Sequence, residues 1–278
     1  PAGGHRHADN LSLYYIDRNQ KIGYIRLTTF GPTSTEDLTL AINRMQQSHG
    51  IQGLILDLRG NPGGLLRAAI GISDRFIEKG VIVSRTKAPR PAMATAAATL
   101  PNFPMVVLIN QGSASASEIV SGALKVHKRA LVVGERTFGK GSVQDVVGLS
   151  VPRGGGVPFL QQQKGPKAYL KLTTQYYKIP DGSIIHHRPG AKTWGIEPDV
   201  TVRMTGKQHA TLSEARTFLD VLQDPDEKVD SKKILPDNKD APKVNKASDL
   251  LSQGLDPQLN TALILLKAKL LSEKIASR

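Results

Sequence analysis

Asn110-Gln-Gly-Ser-Ala-Ser-Ala-Ser-Glu-Ile-Val-Ser-Gly-Ala-Leu124, followed after a short apolar run by Gly134-Glu-Arg-Thr-Phe-Gly-Lys-Gly-Ser-Val-Gln144, is the stretch on which the reading of this chain turns. It follows the apolar strand Met105–Ile109 and spans a serine-rich turn, a helix over Ser115–Lys125, a strand over Ala130–Val133 and a glycine-flanked lysine. Strand, helix and strand in close succession predict an α/β arrangement with a largely parallel sheet. Three serines at a helix start with no well-placed histidine raise the question of a hydroxyl nucleophile and its base. Lys140 is the best candidate for that base.

The same alternation continues upstream. Ile22–Leu27 alternates as a strand. Ser34-Thr-Glu-Asp37 opens a helix, with Leu38, Ala41, Ile42 and Met45 at helical spacing and Gly50 just past its end. Ile51–Leu58 is apolar enough for a buried strand, and Gly60-Asn-Pro-Gly-Gly64 is a sharp turn. Leu65–Lys79 reads as a second helix stopped by Gly80, before a strand at Val81–Ser84. Downstream of Ser150 the pattern changes. Residues 151–166 read as an irregular insertion, and Tyr169–Tyr177 as a strand. Gly195-Ile-Glu-Pro-Asp-Val200 leads into a short strand, and Thr211–Gln223 is helical. A polar linker occupies 224–247. Leu250–Ile275 is a helical tail with Leu259, Leu263, Leu266 and Leu270 along one face. The expected organisation is a lead-in over 1–20, a core over 21–205 and a helical region over 206–278.

Bulk properties exclude several classes. The 278 residues are 39% apolar, enough for a buried core. There is no cysteine, which removes thiol catalysis, disulfides and thiolate metal sites. No apolar run approaches the roughly 20 residues of a membrane span, and the start, Pro1-Ala-Gly-Gly-His-Arg-His7, has no signal-peptide core. The 37 Lys+Arg against 24 Asp+Glu give a formal charge of +13. The basic residues are scattered, without an arginine-rich helix or interleaved aromatics, so nucleic acid is not the expected partner.

Ser113, Ser115 and Ser117 stand two apart, which on a helix is nearly opposite faces. One is read as the nucleophile, one as a cap and one as packed. The unpaired N–H groups of a helix start favour an incoming negative charge. Lys140 lies between two glycines, and a lysine must be neutral to accept a proton. Its reference pKa is about 10.4, which burial lowers by several units. The preceding strand Leu131–Val133 is the expected source of that burial. Gln144, four residues on, is placed to orient the amine. Asp57-Leu-Arg-Gly-Asn-Pro-Gly-Gly64 follows a buried strand, where open α/β sheets hold ligands, and its N–H groups are candidates for half an oxyanion hole. Arg59 and Asp57 are expected to order it. His127 sits about 18 Å from Ser115 along the helix, and His186-His187 has no third ligand at metal spacing. Neither is expected to be the base.

Together, D-L-R-x-N-x-G-G, S-A-S-A-S-E-I, G-E-x-T-x-G-K-G-x-V-Q and the G-I-x-P-D of Gly195–Asp199 resemble the C-terminal processing peptidases, or tail-specific proteases, in order and over about residues 20–205. The resemblance implies a crotonase-like or ClpP-like protease core with a largely parallel sheet flanked by helices, a small β-rich segment and a helical tail. It implies a serine endopeptidase cutting proteins near their C-terminal ends, with Ser115 as nucleophile, Lys140 as general base and Gln144 as the lysine's partner. The oxyanion donors map to Ala116 and Gly64, with Gly63 adjacent. The resemblance implies no metal and no organic cofactor. Protein or peptide tails are the expected partners, with self-association through the terminal regions and an extracytoplasmic location. Two departures stand out. Many family members carry Gln-Asp near the end of the serine helix where this chain has Lys125-Val126, and a PDZ domain ahead of the core where this chain has about 20 residues. Other readings of the same residues are a silent peptide-binding scaffold and a crotonase-like acyl-transfer enzyme.

Overall fold

Strand residues one apart face opposite sides of a sheet, and here both sides are buried. In the strand Gly53–Asp57 (β3), Leu54 and Leu56 join one core while Ile55 joins another. The computed structural model describes residues 15–149, 168–220, 244 and 246–276. The expected insertion at 151–166, residues 1–14 of the lead-in and nearly all of the polar linker lie outside these.

The main sheet holds six strands. With β1 at Tyr15–Asp17, β2 at Ile22–Arg26, β4 at Gly80–Arg85, β5 at Ala92–Ala94, β6 at Met105–Ile109, β7 at Leu131–Gly134, β8 at Ser142–Leu149, β9 at Ala168–Lys178 and β10 at Val200–Thr201, its order is β1-β2-β3-β6-β7-β10. All pairings are parallel except β1 with β2. Helices α1 (Ser34–Ser48), α2 (Leu66–Asp74) and α3 (Ala116–Val126) cover one face, through Leu38, Ile42 and Met45, Ala69 and Ile72, and Ile119, Val120 and Leu124. Helices α4 (Gly206–Asp220), α5 (Ala247–Ser252) and α6 (Pro257–Ala276) cover the other, through Leu212, Leu250, Leu259, Leu263 and Leu266. The four leucines expected to share a face of the tail are all buried there. Each such side chain contributes about 1.5–3 kcal/mol on leaving water. A second, antiparallel sheet, β5-β4-β9-β8, forms the β-rich part.

Three local expectations are corrected. The tail helix is interrupted after Ser252. Gly254 turns at φ 66°, and α6 begins afresh at Pro257 with Asp256 accepting the Leu259 N–H at 2.9 Å. Proline at the first helical position with a capping aspartate before it is a start signal. Helix α2 ends at Asp74, five residues short of Lys79. Strand β8 has no counterpart among the expected strands, because Val146 and Val147 are both exposed and leave no clean alternation. It is held by its pairing with β9 along its whole length.

Candidate active site

The turn after β3 and the start of α3 are built as one unit. Asn61 is fully buried and its side chain ties two segments of backbone together. Its Nδ2 donates to the Leu27 carbonyl at 2.7 Å and its Oδ1 accepts from the Gly63 N–H at 2.8 Å. The Asn61 carbonyl accepts from the Ala114 N–H at 3.0 Å and from the Ser117 hydroxyl at 2.9 Å. Ser113 is just as buried, donating to the Leu58 carbonyl at 2.8 Å and accepting from the Asn110 N–H. Two of the three serines therefore fasten the turn to the helix.

Ser115 differs. It is only half-buried, and as the residue preceding α3 it has φ 56° and ψ −111°, outside the regions open to an L-residue at low cost. The cause lies across the turn. A side chain at Gly63 would sit 2.8 Å from the Ser115 Cβ and 2.9 Å from the Ala116 nitrogen, so the backbones touch only because Gly63 has no Cβ. Among the described residues, neither the Gly64 nor the Ala116 N–H donates to a protein acceptor, whereas the Gly63 N–H is held by Asn61.

Glu118, which the sequence motifs do not mark as a site residue, organises the rest. One oxygen accepts from the Ser115 and Lys140 N–H groups, both at 2.8 Å. The other accepts from the Gly139 N–H at 2.7 Å and the Thr137 hydroxyl at 2.6 Å. Burial pushes its carboxyl up, opposed by these donors. The Ser-x-x-Glu spacing of a capping box is the available signal. Thr137 in turn accepts from the Ile196 N–H at 2.7 Å, which docks the Gly195–Asp199 segment beside the lysine loop.

Lys140 is exposed. The expected burial against Leu131–Val133 does not occur here, because Val132 and Val133 are enclosed in the two cores of the sheet. Among the described residues, no hydrogen bond joins the side chains of Ser115, Lys140 and Gln144. Gln144 is exposed on β8, at a register shift where β9 contributes an extra residue. The His186-His187 segment lies against this loop: the His187 N–H donates to the Gly139 carbonyl at 2.8 Å, and the His187 ring stacks on Trp194. His127 is held 2.8 Å from the Val81 carbonyl through Nε2, away from Ser115.

The turn is anchored from below. Arg59 commits all five N–H groups: Nε and Nη2 to Asp57 at 2.9 and 2.6 Å, Nη1 to Asp256 and Gln258 at 2.7 and 3.0 Å, and Nη2 again to Asp256 at 2.8 Å. Arg216 and the Tyr24 hydroxyl donate to the same Asp57 oxygen, each at 2.8 Å. Burial alone would raise the Asp57 carboxyl, but Arg59 and Arg216 hold it far below the usual carboxylate range. At the end of α3, Lys125 pairs with Asp199 at 3.1 Å and Val126 packs on the core.

The sequence profile of peptidase family S41 matches residues 21–202. The chain belongs to peptidase family S41. It is 38% identical over 245 residues to the carboxy-terminal-processing protease of Bartonella bacilliformis, covering 83% of this chain and 52% of that protein. It is 39% identical over 184 residues to the chloroplastic C-terminal processing peptidase of Tetradesmus obliquus, covering 65% of this chain and 35% of that one. The solved photosystem II D1 C-terminal processing protease superposes with a TM-score of 0.52 at 33% identity, over 65% of this chain and 42% of that one. This chain thus spans about half, or less, of the length of these relatives. The S41 fold agrees with the expected protease core. Among the described residues no helix is long and apolar enough to cross a membrane.

Proposed function

We propose that this chain carries the proteolytic core of a serine endopeptidase that cuts protein substrates near their C-terminal ends, outside the cytoplasm. The observation that carries the reading is Ser115: of the three serines it alone has a strained backbone, beside two N–H groups that have no acceptor among the described residues. Strain of this kind collects at functional sites. Ser115 Oγ attacks the scissile carbonyl, and the neutral amine of Lys140 takes the hydroxyl proton. The negative oxygen of the tetrahedral intermediate is received by the Gly64 and Ala116 N–H groups. Lys140 then gives the proton to the leaving amine, and the substrate's acyl part remains as an ester on Ser115. Water hydrolyses the ester with Lys140 again as base, while Gln144 orients the amine. In this reading the exposed lysine side chain swings onto Ser115 when substrate covers the loop, as catalytic hydrogen bonds often tighten only in the complex.

The test uses Lys140→Arg and Lys140→Ala together with a serine-reactive fluorophosphonate. Arginine keeps the charge but does not act as a base, so both variants lose peptide hydrolysis by about 10²-fold or more, the lower end of what a general base supplies. Wild type labels at Ser115 and Ser115→Ala does not label. Near-normal turnover in Lys140→Arg sinks the dyad. Absence of both labelling and hydrolysis in the wild type favours a silent peptide-binding scaffold.

A further inference from the structure

The loop that carries Lys140 has two sides. On one, the Gly139 and Lys140 N–H groups donate to Glu118 of α3. On the other it lies against residues 185–188. There the His187 N–H donates to the Gly139 carbonyl at 2.8 Å, and a Cβ at Gly141 would stand 2.6 Å from the His186 nitrogen. Ser115 opens α3, so this second side is the one turned away from the nucleophile.

Rings and positive charge collect on that side. Trp194, the only tryptophan in the chain, carries the His187 ring at 4.4 Å and the Arg136 guanidinium at 4.2 Å. Tyr176 pairs with Ser142, two residues after Lys140. It carries the His186 ring at 4.9 Å and the Arg188 guanidinium at 4.6 Å. Arg136 is neutralised by Glu197. Arg188 is exposed, and among the described residues no carboxylate pairs with it. The other carboxylates of this region are occupied. Glu118 accepts four donors, and Asp181 accepts from Ser183. An arginine laid on an aromatic face keeps the N–H edge of its planar fork open, and that edge matches the two oxygens of a carboxylate.

We infer that Arg188 is a subsite for a carboxylate on the departing side of the substrate, either the terminal α-carboxylate of the tail or an acidic side chain within it. The inference rests on the peptidase reading for its direction: Lys140 gives its proton to the leaving amine, so the tail leaves across the lysine loop toward residues 185–188. An extended chain advances about 3.3 Å per residue, and a few residues carry the tail over the loop.

The test reads binding in Ser115→Ala, which needs no hydrolysis, through the fluorescence of Trp194. Three peptides share one sequence. One ends in a free carboxylate, one is amidated, and one is amidated with a glutamate placed within the tail. The plain amide binds about 5-fold or more weakly than at least one of the others, as a charge-assisted hydrogen bond at an exposed site allows. Tighter binding of the free acid assigns the terminus, and tighter binding of the glutamate peptide assigns a side chain. In the same background Arg188→Gln removes the preference, and Arg188→Lys keeps part of it. Lys207→Gln, an equal change of charge on α4, keeps it whole. Equal affinity for all three peptides overturns the subsite, as does a preference that survives Arg188→Gln. A preference that is present while the chain with Ser115 intact hydrolyses none of the peptides upholds the subsite and faults the peptidase reading instead.

Discussion

At the residue scale, Ser115 combines a backbone that disfavours any side chain with a side chain that the chemistry requires. The φ of 56° costs an L-residue about 1–3 kcal/mol. Ser115→Gly is therefore expected to raise stability by about 1 kcal/mol in urea titration while abolishing hydrolysis. Ser115→Ala keeps the strain, and is expected to leave the midpoint unchanged with hydrolysis equally lost. Ser113→Ala and Ser117→Ala reverse the pattern. Each removes a buried donor, from Leu58 or Asn61, at a cost of about 1–3 kcal/mol with turnover retained. The Ser113 change is the worse of the two: the Leu58 and Asn61 carbonyls each keep a second donor, the Asn61 and Ala114 N–H groups, but the Asn110 N–H loses the hydroxyl that accepts it. Spacing in the sequence separates the three serines onto different faces but does not rank them. The ranking depends on Gly63 pressing against Ser115 from about 50 residues away, which no local pattern encodes.

At the scale of elements, Glu118 ties the start of α3 to the Thr137–Lys140 loop. Its capping half is legible as Ser-x-x-Glu. Its hold on Thr137, Gly139 and Lys140 is not, because it exists only once β7 lies beside β6. Both oxygens accept twice, so an amide in place of the carboxylate turns one donor against two others. Glu118→Gln is expected to cost about 1–3 kcal/mol and to lower kcat far more than it raises KM, as measured by urea titration and peptide kinetics. An unchanged kcat would make the tie purely structural. The break between α5 and α6 has a signal in Gly254, Asp256 and Pro257. The leucine periodicity on both sides of it hides that signal.

At the scale of the whole molecule, both faces of the sheet are covered, and their buried carboxylates respond to acid in opposite senses. Asp57 is held below its unfolded value of 3.8, so its contribution is present above that value and lost as pH falls further. Glu118 is raised above 4.5, so its contribution is present below that value and fades as pH rises through the folded one. The Asp57 displacement is the larger, so stability is expected to hold from pH 7 to about 5 and fall below about pH 4. Urea midpoints across that range check the sign. Stability that rises on acidification below pH 4 would contradict the ion cluster. The alternation of strands and helices makes this layered architecture readable. The antiparallel β8–β9 pair is half readable, because exposed valines blur its period.

The Arg59 cluster also determines where the chain can be cut. The match to the family profile ends at residue 202, yet two of the groups surrounding this buried guanidinium, Asp256 and Gln258, lie more than fifty residues beyond that point. Trimming the chain at the end of the profile match would delete a counter-ion from the interior and strip one whole side of the sheet. Losing one partner of a buried pair costs about 3–5 kcal/mol, a large share of the roughly 5–15 kcal/mol that holds a typical domain together. A chain stopped at Arg203 is expected to give no cooperative melt in circular dichroism. The unit that folds is larger than the span that the family profile matches.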